Sequence, residues 1–81
     1  MDQEPSVFST QDLNLAAVLF VNGFVLQNIS KDSKGKATFS YIKNSLLNKT
    51  IQDFWNNKLL INPQDLFHAL KVLKNRIYSS F

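Results

Sequence analysis

The side chains that could perform acid–base chemistry in this sequence stand close together near the C-terminus. Asp65 and His68 are three residues apart, so on a helix the carboxylate could orient an imidazole that acts as a general base. Such a pair on a helix surface is far more often solvated, and no nucleophile stands at a recognisable spacing from it. The sequence also contains neither a Gly-x-Ser-x-Gly motif nor a glycine-rich phosphate loop. We therefore predict a protein that is not an enzyme and holds no cofactor.

Composition excludes most metal and thiol chemistry. The 81 residues include one histidine and no cysteine, so disulfides, thiolate-bound zinc, iron–sulfur clusters and a site with several histidines are excluded within one chain. The first residues are acidic where a signal peptide is basic. The most apolar run, Leu15–Val21, is far shorter than the about 20 residues that span a bilayer. We therefore expect a cytoplasmic protein with no bound metal and no membrane partner.

The basic residues are concentrated in the second part of the chain. Residues 1–30 carry three acids and no base, whereas residues 31–81 have a net charge of +6 within a total of +3. This concentration points to phosphate or acidic partners, although any small soluble domain needs some net charge. Two clusters stand out, and each could contact nucleic acid or a protein partner.

The first basic cluster lies on the last predicted helix, where polar side chains recur at the spacing of one helical face. Lysines there could pair with phosphates, while asparagine and glutamine could read base edges. The alternative is an ordinary solvated face, and the presence of a single arginine argues against guanine contacts, which favour arginine. The residues of this cluster are Gln64, His68, Lys71, Lys74, Asn75 and Arg76.

The second basic cluster surrounds a glycine at the tip of a predicted hairpin and consists of Lys31, Lys34 and Lys36. These lysines could follow a phosphate backbone. Equally, they could keep the edge of a sheet from pairing with other chains, which is a common use of lysine at such places. Composition and spacing leave both roles open.

Trp55 raises the question of a protein interface. This sole tryptophan could pack in the core with its indole N–H at the rim, or it could anchor a protein partner, since tryptophan is enriched at binding hot spots. The apolar complement as a whole is large for a domain that buries only about 60 % of its unfolded surface. We therefore favour a protein partner or a second copy of the chain, with nucleic acid as the alternative.

The elements that position these residues can be predicted from periodicity and capping signals. Ser9 or Thr10 would cap a first helix that is apolar on almost every face, so this helix should be buried at the centre. A hairpin of two strands follows, at Phe24–Ile29 and Ala37–Lys43, joined by the lysine-rich turn. A lone hairpin is marginally stable, so we expect the helices to pack on it.

Two more helices complete the predicted fold. Ser45 would cap the second, and Asn62 followed by Pro63 is a strong start for the third, which should end near Tyr78. Between them, Leu59–Ile61 could form a short third strand.

The predicted order is thus α-β-β-α-(β)-α. We expect one compact α+β domain over residues 9–78, with an antiparallel hairpin or three-stranded sheet packed by three helices. Residues 1–8 would form a flexible lead-in, and residues 79–81 a short tail.

Several short motifs give this order a family resemblance. Residues 8–19 read F-S-T-x-D-L-x-L-A-A-x-L, and they are followed by Gly23-Phe24, Phe39, Phe54-Trp55-Asn56, Asn62-Pro63 and Leu73-Lys74. With these residues the chain resembles, over residues 8–78, a family of small phage and bacterial domains of unknown function. The resemblance implies no catalytic residues, and it implies an accessory protein of phage or mobile-element type. We predict a binding module for a protein, such as a host defence or replication component, or alternatively for nucleic acid.

Overall fold

Three helices and a three-stranded antiparallel sheet make up residues 7–79, the part of the chain that the structure, a computed structural model, describes. The elements are β1 (Val7–Thr10), α1 (Leu13–Val21), β2 (Leu26–Lys31), β3 (Ala37–Ile42), α2 (Leu47–Trp55) and α3 (Pro63–Ser79). β3 lies between β1 and β2 and pairs antiparallel with both. The predicted α+β fold, with three helices and an antiparallel sheet, is therefore confirmed.

The third strand is β1 and does not come from Leu59–Ile61, which forms no regular structure. β1 pairs with β3 along its whole length. Val7 and Phe8, which fall within the lead-in predicted over residues 1–8, therefore belong to the sheet, while residues 1–6 lie outside the described part of the chain. Four residues are too few to show an alternating pattern, and β1 depends on pairing with a strand that is distant in sequence.

α1 is the buried centre of the fold, as its sequence predicts. Five consecutive residues, Leu15–Leu19, are buried. They are covered on several sides because α1 contacts β1, α2 and α3. Side chains from the sheet and from the other two helices complete the core, among them Phe39, Tyr41, Leu47 and Leu73.

Tyr41 joins the sheet to this central helix. Its side chain is fully buried, and its hydroxyl donates a 2.6 Å hydrogen bond to the backbone oxygen of Ala16. Burial disfavours the phenolate and raises the pKa of Tyr41 well above its ordinary value, an effect that the positive charge of Arg76 partly offsets. The hydroxyl therefore stays protonated and keeps this link between β3 and α1 at neutral pH.

The cap of α1 differs from the prediction. Asp12 is the N-cap residue, and its Oδ1 accepts hydrogen bonds from the backbone N–H groups of Asn14 and Leu15. Ser9 and Thr10 do not cap this helix because both belong to β1. The helix consequently begins later than a cap at either residue would allow.

The start of α3 agrees with the prediction, whereas that of α2 does not. Oδ1 of Asn62 accepts hydrogen bonds from the N–H groups of the two residues after Pro63, as expected of a cap followed by proline. Ser45 does not cap α2, whose N-terminus has no side-chain cap. α3 continues through Ser79, which was predicted to begin the tail, and residues 80–81 lie outside the described part.

Candidate binding surfaces

Four side chains form a line along the exposed side of α3. Phe67, Lys71, Lys74 and Tyr78 are four, three and four residues apart, a spacing that places them on one side of a helix. All four are exposed, and Phe67 and Tyr78 are exposed to 65 % and 76 %. At 1.5 Å per residue the line is about 16 Å long. We call these four residues the α3 stripe.

The α3 stripe is exposed because the opposite side of the same helix supplies the core. Apolar residues that recur at helical spacing pack toward α1 and the core, and they leave Phe67 and Tyr78 well to one side of the buried face. Neither ring belongs to the core cluster or to the side chains packed against it. The residues on the buried side are Leu66, Ala69, Leu70, Leu73 and Ile77.

The α3 stripe is positively charged and contains no acidic residue. Elsewhere in residues 7–79, the acidic side chains serve local structure. Asp12 caps α1, Asp32 organises the hairpin turn, and Asp53 lies 3.0 Å from Lys49 in an ion pair within α2. Asp65 lies in the first turn of α3, where its charge suits the helix dipole. The two lysines of the stripe thus present their charge to solvent between two aromatic rings.

The polar face predicted on α3 adjoins the stripe. Gln64, His68, Lys71 and Asn75 are all exposed, so the structure places them on the solvent side of the helix as expected. Lys71 belongs to both sets, and Lys74 of the predicted cluster is likewise exposed and part of the stripe. The structure therefore brings the predicted cluster together, with the addition of two aromatic residues beside it that the sequence prediction did not assign to a binding surface.

Arg76, the remaining residue of that cluster, points elsewhere. Its Cζ atom lies 5.9 Å from the centroid of the Phe20 ring, which is the geometry of a cation–π contact between α3 and α1. Arg76 is also exposed, so this contact accompanies its predicted role in partner contacts, which stays a prediction.

Asp65 and His68, the predicted candidates for acid–base chemistry, line a shallow depression of ≈ 180 Å³. Phe20, Val21 and Ala69 form the rest of its lining. Both polar residues are exposed, and the lining contains no serine, threonine, cysteine or lysine that could act as a nucleophile. The depression thus offers an imidazole and a carboxylate beside apolar side chains.

The tip of the β2–β3 hairpin is organised by Asp32. Its Oδ1 accepts hydrogen bonds from the backbone N–H groups of Lys34 and Lys36, both at 2.9 Å, and its own N–H donates to the backbone oxygen of Lys36. Gly35 adopts a φ of +84°, a conformation that glycine tolerates best and that closes this type of hairpin. Lys31 ends β2. The three predicted lysines therefore extend from a turn with a defined backbone.

Trp55 is exposed to 61 %, so of the two roles that the sequence leaves open the structure excludes packing in the core. Leu47 is buried, and Ile51 and Phe54 pack against the core from the same side of α2. Trp55 lies one residue beyond this face at the last position of the helix. Its ring contacts that of Phe54 edge to face, with centroids 4.9 Å apart. The alternative role, an anchor for a protein partner, remains open.

Residues 7–79 contain no group of three or more His, Cys, Asp or Glu side chains that could hold a metal ion. None of the helices in these residues combines the length and apolarity that crossing a bilayer requires.

Phe67 and Tyr78 are the candidate functional residues that the sequence prediction missed. Their spacing relative to Lys71 and Lys74 was visible in the sequence, and this was the available signal. In the sequence Phe67 lies beside the apolar stripe of the last helix and Tyr78 stands at its predicted end, so neither pattern marks a binding residue.

Comparison with known proteins gives one match. A family model described as "Domain of unknown function (DUF5659)" matches residues 6–79. No curated protein matches the chain, and no solved structure matches it. The match confirms the resemblance to small domains of unknown function that the sequence motifs indicate. Because it covers nearly the whole chain, the protein belongs to the DUF5659 family.

Proposed function

We propose that this protein is a non-catalytic binding module whose ligand is another protein. The observation that carries the proposal is the exposure of three large aromatic side chains, Trp55, Phe67 and Tyr78, each of them more than half exposed. Aromatic residues are enriched in the cores of protein interfaces and among the residues that dominate binding energy. A partner that covered them would remove a large apolar area from water.

Of these three exposed rings, Phe67 and Tyr78 on α3 are the stronger candidates for partner contact because lysines lie between them. Rings supply apolar contact area, and the lysines between them supply charge that selects the partner and speeds association. We place this activity in the cytoplasm, where the absence of cysteine has no cost. We further propose a phage or mobile-element accessory role, on the sequence resemblance alone.

Nucleic acid is the second candidate ligand. The observation that favours it is the exposed lysine pair, Lys34 and Lys36, on a turn whose backbone Asp32 fixes. Such a pair could contact successive phosphates. Affinity for mixed-sequence DNA or RNA would then fall steeply between about 50 and 200 mM salt, because phosphate contacts release counterions. An absence of binding at the lower salt concentration would eliminate this candidate.

The proposal is tested by capture from a lysate of the organism that encodes the chain. The wild type is compared with the variant Phe67→Ala/Tyr78→Ala and with a control, Ser33→Ala, which changes an exposed residue of the hairpin turn. We expect the wild type and the control to retain the same protein at the same molar ratio to the immobilised chain. The aromatic variant should lose that protein while keeping its helical circular dichroism. Equal retention by all three, or retention of no protein, would contradict the proposal.

A further inference from the structure

We infer that the partner segment which covers the α3 stripe is an acidic amphipathic helix. This inference rests on the proposed function and makes it more specific, because it states the chemistry and the shape of the partner. It depends on the spacing of the four residues, on the position of the two lysines among them, and on the shape of the surface beside them.

The spacing is that of a helix–helix seam. Intervals of four, three and four residues recur when one helix packs along another, and side chains at these positions meet a facing helix over successive turns. The α3 stripe has three such intervals and a length of about 16 Å, or roughly three helical turns. The residues are exposed along the whole line. A helix of about 12 residues would cover it.

The order of residues within the line specifies the charge of that helix. Phe67 and Tyr78 stand at the two ends, and Lys71 and Lys74 stand in the middle. A partner that buried the rings would also take water away from both lysines, and an unpaired ammonium group in such a place is strongly destabilising. The facing helix therefore needs apolar side chains at its ends and aspartate or glutamate at its centre.

A second copy of this chain does not meet that requirement. In an antiparallel pairing of two stripes, Lys71 of one copy would face Lys74 of the other, and in a parallel pairing each lysine would face its own counterpart. Like charges in direct opposition disfavour association. Any self-association of the protein would therefore use another surface, and the α3 stripe is left for a different protein.

Single-stranded nucleic acid fits the stripe less well than a helix does. Proteins that bind single strands without sequence preference usually hold them in a basic groove, with successive bases stacked on neighbouring rings. The stripe lies on the convex side of a helix, and its two rings are about 16 Å apart. The depression lined by Phe20 and His68 is not part of the stripe, so it does not supply the missing groove.

The test is selection from a displayed library of random 20-residue peptides against the full chain. We expect the selected peptides to share apolar residues about eleven positions apart and acidic residues between them at helical spacing. The charge-reversed variant Lys71→Glu/Lys74→Glu should select peptides with basic residues at those central positions instead. The matched control, Lys34→Glu/Lys36→Glu, makes the same change of charge on the hairpin turn and should still select the acidic pattern.

Affinity measurements on one selected peptide complete the test. We expect reversal of Lys71 and Lys74 to weaken binding by about tenfold or more, and reversal of the hairpin lysines to have a much smaller effect. Selection of no common pattern, or of a pattern that the stripe reversal leaves unchanged, would overturn the inference. Stripe-dependent binding of a labelled 20-nucleotide single strand, with no peptide selected, would overturn it in favour of nucleic acid.

The outcomes separate this inference from the proposed function. If lysate capture depends on Phe67 and Tyr78 but the library yields basic or non-helical peptides, the protein-binding function stands and the acidic helix is wrong. If capture does not depend on those rings and the library yields no pattern, both are wrong.

Discussion

Replacing Tyr41 by phenylalanine tests the link between the sheet and the central helix. The change removes the hydroxyl that donates to the Ala16 oxygen at 2.6 Å and leaves the buried ring in place. A buried hydrogen bond contributes about 1 to 1.5 kcal/mol net. For a domain of this size that corresponds to a fall in Tm of roughly 4–12 °C. We expect a loss of this size for Tyr41→Phe at pH 7.

The same residue gives a pH dependence whose sign follows from burial. The pKa of Tyr41 is raised above its ordinary value of 10.0, so above pH 10 the unfolded chain loses this proton before the native protein does. The unfolded state then binds fewer protons, and stability falls as pH rises. At about pH 11 the loss approaches 1.4 kcal/mol. The Tyr41→Phe variant lacks this titration, so the stability difference between it and the wild type should shrink toward zero.

The assay is urea unfolding followed by circular dichroism between pH 7 and pH 11. Tyr78→Phe is the matched control because it removes a hydroxyl from an exposed tyrosine, and surface changes of this kind usually stay within about 0.5 kcal/mol. A Tyr41→Phe variant as stable as the wild type at pH 7, or a difference that stays constant up to pH 11, would refute the reasoning.

Two further predictions concern the ends of helices. Asn57 has a φ of +58°. The backbone N–H groups of Asn57 and Lys58 donate hydrogen bonds to carbonyl oxygens in the last turn of α2. Asn57→Gly should therefore raise the free energy of unfolding by up to about 1 kcal/mol. Asn56→Gly should lower it, because Asn56 has a φ of −96°. If urea unfolding showed Asn56→Gly to be the more stable variant, the turn after α2 would be assigned wrongly. Asp12→Ala should cost about 1 kcal/mol because it removes the cap of α1. Ser45→Ala should cost almost nothing because Ser45 caps no helix, and equal losses in thermal unfolding would show that the caps are misassigned.

The parts of the fold that follow from local chemistry could be predicted from the sequence. Asn62 and Pro63 start α3 where the capping signal places them, because a cap and a proline act within one turn of the chain. The hairpin was predictable since alternating apolar residues surround a polar turn with glycine. The burial of α1 was predictable as well, because a helix that is apolar on almost every face has to be covered.

The errors arose where the structure depends on distant contacts. β1 is a strand because β3 offers it a partner, and four residues do not reveal this by themselves. Its formation moves the start of α1 to Asp12, which is why the cap was misplaced. The sequence left Trp55 open between the core and a partner contact, and its exposure at the last position of α2 depends on how that helix packs against the rest of the fold.

The candidate surface was predictable only in its charged part. The lysines of α3 were recognised because charge at helical spacing is easy to see. The neighbouring rings were overlooked because an aromatic residue in an amphipathic helix is usually core. Whether Phe67 is buried depends on how α3 is rotated against α1, and the packing of Ala69 and Leu73 fixes that rotation.

Site-specific photo-crosslinking tests the central claim, that α3 binds a protein, most directly. A photoreactive p-benzoylphenylalanine replaces Phe67 in one sample and Val25 in the control sample. Val25 is exposed and lies just before β2, in the loop between α1 and β2. After irradiation in cells that encode the chain, the account predicts a discrete protein adduct from position 67 that is absent from position 25. An adduct from position 25 alone, an adduct to nucleic acid, or no adduct at position 67 would contradict it.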